Sequence, residues 1–254
     1  MNLEQQAART IARYDMLRPG QPVLAALSGG ADSVALVCVL RALGYAVRAY
    51  HLNHCLRGEE SERDADFVHS LCIKLDVPLT LEREDAAAYA AQTGESVETA
   101  ARKLRYARLS DCAARQGITR IATAHTADDN LETMLVHLAR GTGTRGMAGI
   151  PPVRGQIIRP LWTATRAEVE AYLSGLGQDF VVDSSNLSLD YTRNRIRHTV
   201  VPALRTVNPG CTGAATRLAE QLRRDDDALC ILAERALGQG SPSEGIALAA
   251  FDQL

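Results

Sequence analysis

The sequence predicts an α/β protein with a doubly wound parallel sheet, followed by a helical C-terminal segment. Short apolar runs that suit buried strands alternate four times with segments that suit helices, from residue 23 to residue 139. The connections between these runs are of helical length, as parallel strands require. With 46% hydrophobic and 23% charged residues among 254, the chain also has the composition of an ordinary globular protein.

The predicted elements follow one another regularly along the first 140 residues. Strands are predicted over 23–27, 46–52, 78–81 and 118–124, and helices over 34–43, 59–75, 96–115 and 128–139. Three glutamates open the helix at residue 59, where they suit the positive end of the helix dipole. Gly141 and Gly143 stop the helix at residue 139. In such a sheet, a ligand binds beyond the carboxyl ends of the strands.

The pattern loosens beyond residue 140. Helices are predicted there over 166–173, 193–204 and 214–237, the last with apolar residues at helical spacing. We therefore expect one large domain over residues 1–210 and, over 211–254, a helical linker that begins a C-terminal module, which is either truncated or vestigial. The apolar face of the last helix would otherwise be exposed, which favours self-association into a homodimer.

Several protein classes are excluded by composition. No apolar run approaches the roughly 18 to 20 residues of a membrane span, and the N-terminus lacks the pattern of a signal peptide. The six cysteines include no C-x-x-C pair, which indicates reduced thiols and no zinc site. We therefore expect a cytoplasmic protein without a membrane partner.

The net charge of −2 conceals two arginine-rich segments that contain no acid. Residues 133–167 and 191–219 each contain five arginines. Segments of this kind bind phosphate groups even in an acidic protein, and a scattered, solvated surface is the alternative interpretation.

The turn after the first predicted strand indicates a phosphate site. It consists of Ser28, Gly29, Gly30, Ala31, Asp32 and Ser33, and the first predicted helix follows it. Backbone amides at such a helix start bind phosphate oxygens. The lysine of a Walker loop and the spacing of a dinucleotide loop are both missing. Asp32 would repel a phosphate unless a divalent cation lay between them, so Asp32 is predicted to bind Mg²⁺.

This turn resembles the signature loop of the N-type ATP pyrophosphatases, which cleave ATP between its α and β phosphates. Five further segments, in the same order, resemble those of one member family, the tRNA(Ile)-lysidine synthetases. These are His51–Gly58, Gly94–Glu98 with Ala100–Tyr106, Ala124–Thr133, Arg140–Gly143, and Asp183–Asn186 followed by Arg193–Arg197.

The resemblance implies an ATP-dependent ligase that forms a carbon–nitrogen bond. The substrates are expected to be ATP with Mg²⁺, free L-lysine, and tRNA(Ile) with a CAU anticodon. ATP adenylylates the C2 oxygen of the wobble cytidine, and the lysine side-chain amine then displaces AMP. The product, lysidine, switches codon reading from AUG to AUA. The cytidine must leave its stack to be reached, and the truncated C-terminal part is expected to weaken action on tRNA.

The resemblance also assigns arginines to the charge that develops on the α-phosphate. Arg105 is assigned first, followed by Arg102, Arg193 and Arg197. The alternative is that Arg102 and Arg105 only decorate a helix, because they follow Glu98 at helical spacing. Arginines expected to contact tRNA are Arg140, Arg145, Arg193 and Arg197.

Other resemblance-based assignments concern the ends of the second and fourth strands. His51, Leu52 and Asn53 are expected to meet the adenine edge of ATP, although His51 alone suits a structural role as well. His125 ends the fourth strand and is expected to line the catalytic pocket.

Three acids open the helix at residue 128. The family analogy assigns Asp129 and Glu132 to the ammonium groups of substrate lysine. Mg²⁺ is the other cation that Asp128, Asp129 and Glu132 could bind, and a helix-starting acid is the simplest alternative.

Three other functions compete with the ligase. A tRNA thiolase of the same superfamily would generally carry paired cysteines, which this chain lacks. A small-molecule amidating ligase, such as an NAD synthetase, would not need the arginine-rich segments. A nucleotide sensor without turnover would have no use for the three acids.

Overall fold

The computed structural model describes residues 2–182 and 192–237. Contacts divide these residues into two compact units. One unit comprises residues 2–129 and 151–182, and the other comprises residues 130–150 and 192–237. These units are defined by contacts and do not test the predicted functional division at residue 210, which stays a prediction.

The first unit contains the strands and the helices that alternate with them. They are α1 (Leu3–Arg13), β1 (Pro22–Ala26), α2 (Ala31–Ala42), β2 (Ala46–Asn53), α3 (Glu59–Lys74), β3 (Leu79–Arg83), α4 (Ala86–Thr93), α5 (Val97–Arg115), β4 (Ile121–Ala122), the start of α6 (Ala127–Arg140), then, after α7 (Thr144–Met147) of the second unit, β5 (Val153–Arg154), β6 (Ile157–Ile158) and α8 (Arg166–Leu176).

The described strands form one sheet in the order β3-β2-β1-β4-β6-β5. All neighbours pair in parallel except β5, which pairs antiparallel with β6. In the centre, Leu24 of β1 is in register with Arg48 of β2 and Ile121 of β4. The predicted doubly wound parallel sheet is therefore confirmed.

Each face of the sheet carries its own apolar core. Val23 and Ala25 of β1 are buried with residues of α1, α2, α3 and α8, whereas Leu24 is buried with residues of α4 and α5. Because successive side chains of a strand point to opposite faces, one apolar strand supplies both cores. The helices cover both faces of the sheet and leave the ends of the strands uncovered, and the candidate site residues lie at these ends.

The second unit is helical. From residue 130 onward it contains α6, α7, α9 (Thr192–Arg195), a π-helical turn (Ile196–Val200), α10 (Val201–Val207) and α11 (Cys211–Leu237). Leu131, Ile196 and Val201 form its buried apolar cluster, against which Cys211 and Ala215 of α11 pack. The helical C-terminal segment predicted from the sequence is thus confirmed.

Two predicted elements were wrong in extent. The strand predicted over 118–124 is reduced to Ile121–Ala122, because Ile118 completes the end of α5 by donating its N–H to the Ala113 carbonyl. The helix predicted over 193–204 is interrupted by the π-helical turn. Pro202 explains the interruption, since it has no N–H to donate to the carbonyl of His198.

Other elements were not predicted at all. They are α1, α4, α7 and the short hairpin of β5 and β6. The segment 183–186 that contributed to the family resemblance lies outside the described residues, as does the chain after residue 237. Within the described ranges, no helix combines the length and the apolar character that a membrane crossing requires.

Candidate active site

The turn between β1 and α2 is held open by its own serines. The Ser33 hydroxyl donates to the Gly30 carbonyl at 2.9 Å and lies 3.1 Å from both the backbone nitrogen and the hydroxyl oxygen of Ser28. Gly30 occupies the N-cap position, so no N-cap side chain covers the first amides of α2. These amides therefore provide the positive helix end that phosphate oxygens prefer.

Gly29 is favoured at this turn because its φ of +94° lies in the left-handed region, which side chains rarely adopt. The Val181 N–H also donates to the Gly29 carbonyl at 2.9 Å. The strand-like segment at Val181 thus fixes the outer side of the turn.

Asp32 lies in the first turn of α2 and is close to a cation that the sequence did not single out. Its Oδ2 is 3.5 Å from Nη1 of Arg166, the first residue of α8. The Arg166 Nε also pairs with Glu170 at 3.0 Å. A partly exposed carboxylate beside phosphate-binding amides is the donor that Mg²⁺ uses together with phosphate oxygens, so Asp32 fits the predicted metal role.

Asp128 is tied to the same arginine through the main chain. The Arg166 N–H donates to Asp128 Oδ2 at 2.7 Å, and the Asp128 residue is buried. Asp128 therefore joins the start of α6 to the start of α8, which gives it a structural role at this edge of the sheet.

The end of β2 uses its polar side chains to support the neighbouring loops. His51 Nδ1 lies 2.8 Å from the Leu27 carbonyl, which assigns the proton to Nδ1, and burial lowers the pKa of His51. The Asn53 amide donates to Glu62 and accepts from the Cys55 N–H. These two side chains thus hold the turn after β1 and the loop after β2, while Leu52 is buried between them in the strand.

Arg105 of α5 reaches the loop after β2. Burial, followed by the nearby charge of Arg105, lowers the pKa of His54 to about 4. Arg102 and Arg105 both lie over the ring of Tyr106, and no ion pair joins Arg102 to Glu98 within the described chain. Tyr106 belongs to α5 as well, so the alternative in which Arg102 and Arg105 only decorate their helix stays open.

Asp129 caps the start of α6. Its Oδ2 accepts from the backbone N–H of Thr126 at 2.8 Å and from the Thr126 hydroxyl at 3.0 Å. His125, one residue earlier, lies with Nδ1 3.1 Å from the Thr123 hydroxyl at the end of β4. The helix-starting role considered for Asp129 is thus present, and its side chain remains half-buried.

Glu132 is paired with two arginines of the second unit. Its Oε1 accepts from Nε of Arg197 at 2.6 Å, and its Oε2 accepts from Nε of Arg193 at 2.8 Å and from Nη2 of Arg197 at 3.0 Å. The Glu132 side chain is 4% exposed, against 36% for Arg193 and 25% for Arg197. The carboxylate is thus positioned to fix both guanidinium groups.

Arg140 and Arg145 are exposed at the end of α6 and in α7. The loop that carries Arg145 is anchored, because the buried Asn130 accepts from the Ile150 N–H at 2.6 Å and His137 Nδ1 lies 2.6 Å from the Gly146 carbonyl. Arg223 of α11 donates to the Ala148 carbonyl of this loop. Arg145 is therefore presented on a supported loop.

The residues that sequence reasoning missed are Arg166, Tyr106 and Arg159. Arg159 belongs to an arginine-rich segment that was expected to bind phosphate groups, yet it is 2% exposed. A surface role for Arg159 is therefore wrong, because its guanidinium is buried and donates to the Pro151 carbonyl. The acid-free composition of that segment predicted that its arginines bind phosphate, but it did not show which of them are accessible.

The family model and the sequence relatives of this chain agree with one another. A family model described as a PP-loop domain matches residues 2–204. The chain is 45% identical over 226 residues to the tRNA(Ile)-lysidine synthase of Parabacteroides distasonis, and 46% identical over 224 residues to that of Porphyromonas gingivalis. These alignments cover 89% and 87% of this chain, and 52% and 49% of those proteins.

The fold is also similar to that of a solved structure. The U34-tRNA thiolase of Methanococcus maripaludis superimposes with a TM-score of 0.72 at 17% identity, covering 87% of this chain and 78% of that one. A likeness at this identity concerns the fold alone. The chain spans about half the length of the curated relatives named above.

Proposed function

Because the chain belongs to the PP-loop domain family, we propose that it is the catalytic part of a tRNA(Ile)-lysidine synthetase. It would ligate free lysine to C2 of the wobble cytidine of tRNA(Ile), converting ATP to AMP and pyrophosphate. The observation that carries the proposal is the open turn Ser28–Ser33 before α2, in a chain 45% identical to a tRNA(Ile)-lysidine synthase over 89% of its length.

In the first step, the C2 oxygen attacks the α-phosphate and the bond to the β-phosphate breaks. The first amides of α2 bind phosphate oxygens, and Asp32 would hold Mg²⁺, which neutralises phosphate charge when bound. Arg166 lies next to Asp32 and supplies a positive charge at the same end of α2. Arg105, Arg193 and Arg197 are proposed to stabilise the developing charge on the α-phosphate.

In the second step, the lysine ε-amine attacks C2, AMP leaves with the former C2 oxygen, and the attacking nitrogen loses a proton. The attacking amine must be neutral, whereas the α-ammonium of lysine remains charged and requires a carboxylate. Asp129 is proposed for this role, and Glu132 is proposed to act at the same step. His125 is proposed to line the pocket, and Arg140 and Arg145 are proposed to contact tRNA.

Incorporation of radiolabelled lysine tests the proposal. With ATP and Mg²⁺, transcripts of tRNA(Ile) with the CAU anticodon should take up label and release pyrophosphate. A transcript with U in place of the wobble C is the matched control and should take up none. A chain that binds ATP but attaches no lysine to the CAU transcript, at any tRNA concentration tested, would contradict the proposal.

Two substitutions of Asp129 separate lysine binding from helix capping. Asp129→Asn keeps an oxygen that can accept from Thr126 but removes the charge, whereas Asp129→Ala removes both. We expect both variants to raise the apparent KM for lysine, and Asp129→Ala alone to lower stability, by about 1 kcal/mol. Steady-state kinetics and thermal unfolding provide the two measurements. A normal lysine KM in Asp129→Asn would leave capping as the role of Asp129.

The thiolase alternative has no specific observation in its favour. The likeness to the archaeal thiolase extends to the fold at 17% identity, whereas the similarity to tRNA(Ile)-lysidine synthases reaches 45% or more. Sulfur transfer to the same transcript in place of lysine transfer would reverse this preference.

A further inference from the structure

Tyr106 lies at the centre of a group of arginines that the proposed chemistry does not fully use. The guanidinium carbons of Arg102, Arg105 and Arg154 lie 5.2, 5.3 and 5.7 Å from the centre of its ring. Arg102 and Arg105 belong to α5, whereas Arg154 belongs to β5. The helix and the edge strand therefore place cations on one aromatic ring, and cation–π contacts limit the movement of these side chains.

Arg159 adds a buried positive charge beside the same tyrosine. Burial lowers the pKa of Arg159, its interaction with Tyr106 raises it, and the charges of Arg154 and Arg102 lower it again. Burial raises the pKa of the Tyr106 hydroxyl, but the charges of Arg102, Arg105 and Arg159, with a hydrogen bond from Arg159, together lower it by more. The local field is thus strongly positive.

Within the described residues, three of the four arginines have no acidic partner that would offset this positive field. In the part of the chain that the structure describes, no carboxylate pairs with Arg102, Arg154 or Arg159, although Arg57, Arg83, Arg108 and Arg115 of the same unit all have acidic partners. The Nε atom of Arg159 is buried without a hydrogen-bond partner, and the buried Tyr106 hydroxyl interacts with the Arg159 guanidinium. Gathering like charges in this way costs free energy, which a bound anion would recover.

The group reaches from Arg105, which is proposed to act at the α-phosphate of ATP, to Arg154 at the edge of the sheet, so it suits an anion that extends beyond the triphosphate. The turn that would hold ATP follows β1, whereas Arg154 belongs to β5, which is three strands away in the sheet order. At a spacing of about 4.8 Å between strands, β5 lies roughly 14 Å from β1. Arg102 and Arg154 are both exposed and accessible to a ligand there, whereas Arg159 is buried.

We infer that Arg102 and Arg154, held on the ring of Tyr106, form a binding site for phosphodiester groups of an RNA chain. The site rests on the proposed function, because it names where the tRNA substrate would be held beyond the reacting nucleotide. Tyr106 is a positioning residue here: its ring orients the two guanidinium groups, so the binding of phosphates costs less side-chain freedom. The buried charge of Arg159 adds to the positive field around these two guanidinium groups.

Equilibrium binding of tRNA(Ile) to the full chain at several salt concentrations tests the inference. The double variant Arg102→Ala/Arg154→Ala should lower affinity several-fold and reduce the slope of log K against log salt by about two, one for each phosphate that an arginine no longer neutralises. Tyr106→Leu should lower affinity as well, whereas Tyr106→Phe should not, because it keeps the ring. Arg48→Ala removes an exposed arginine of β2 and is the matched control.

Three readouts keep the result interpretable. ATP affinity and the thermal unfolding midpoint should be unchanged in Arg154→Ala, since this arginine is exposed and belongs to β5 at the edge of the sheet. An unchanged salt slope in the double variant, or an equal loss in Arg48→Ala, would overturn the site while leaving the proposed function intact. A wild-type chain that shows no salt-dependent binding of tRNA would overturn the proposed tRNA substrate and this site with it.

Discussion

Asp32→Asn is expected to lose pyrophosphate release by about 100- to 1,000-fold while keeping the fold, since that is the typical effect of removing one preorganised electrostatic contact. Asparagine has nearly the same shape but no charge, so the variant would no longer hold a divalent cation against the phosphates bound at α2. The measurement is tRNA-dependent pyrophosphate release at saturating ATP, together with ATP binding at increasing Mg²⁺ concentration.

The contact between Asp32 and Arg166 requires its own control. Asp32→Asn also removes a carboxylate that lies 3.5 Å from Arg166, so a loss of activity could arise from a displaced arginine. Glu170→Gln removes the other acid paired with Arg166 and leaves Asp32 in place. We expect Glu170→Gln to behave as wild type, and stability to change by no more than about 1 kcal/mol in either variant, because both pairs are partly exposed. Normal pyrophosphate release in Asp32→Asn would remove the metal assignment.

The fold was predictable where the sequence pattern is long and local. The apolar runs that became β1 and α2 flank a glycine-rich turn, and this context alone predicted a strand, a phosphate loop and a helix. The hairpin of β5 and β6 was not predictable, because each strand has two residues and gains its place by pairing with β4. The π-helical turn before α10 follows from Pro202, a signal that was present in the sequence and was not used.

The residue types of the candidate site could be predicted from the sequence, but the contacts that these residues make with distant parts of the chain could not. Asp32 and the serines of the turn could be assigned from the local sequence, and the contacts of the serines lie within six residues of each other. The pairing of Asp32 with Arg166 joins residues that are far apart in the chain and depends on how α8 packs against α2. The burial of Arg159 depends likewise on tertiary packing, and no local pattern distinguishes it from the exposed Arg154.

Glu132→Ala is expected to have the second large effect on activity. It should act through Arg193 and Arg197 as well as through the binding of lysine. The substitution leaves Arg193 and Arg197 without the carboxylate that accepts three hydrogen bonds from them. Breaking a buried ion pair from one side costs about 3–5 kcal/mol. Because the two guanidinium groups are 36% and 25% exposed, water recovers part of this cost, and a loss of stability of about 2 kcal/mol is expected.

A comparison of three variants distinguishes the two roles of Glu132. If Glu132 acts by fixing the arginines, Glu132→Ala and Arg193→Ala/Arg197→Ala should each lower kcat, and the triple variant should add little to either, since the three side chains form one network. The triple variant should also regain stability over Glu132→Ala, because the two guanidinium groups that bonded to Glu132 are then removed as well. If Glu132 instead binds the lysine ammonium directly, Glu132→Ala should raise the KM for lysine at nearly normal kcat, and its effect should add to that of the arginine variant. Additive effects with unchanged stability in Glu132→Ala would therefore contradict a positioning role, since three hydrogen bonds from the two arginines end on this one carboxylate.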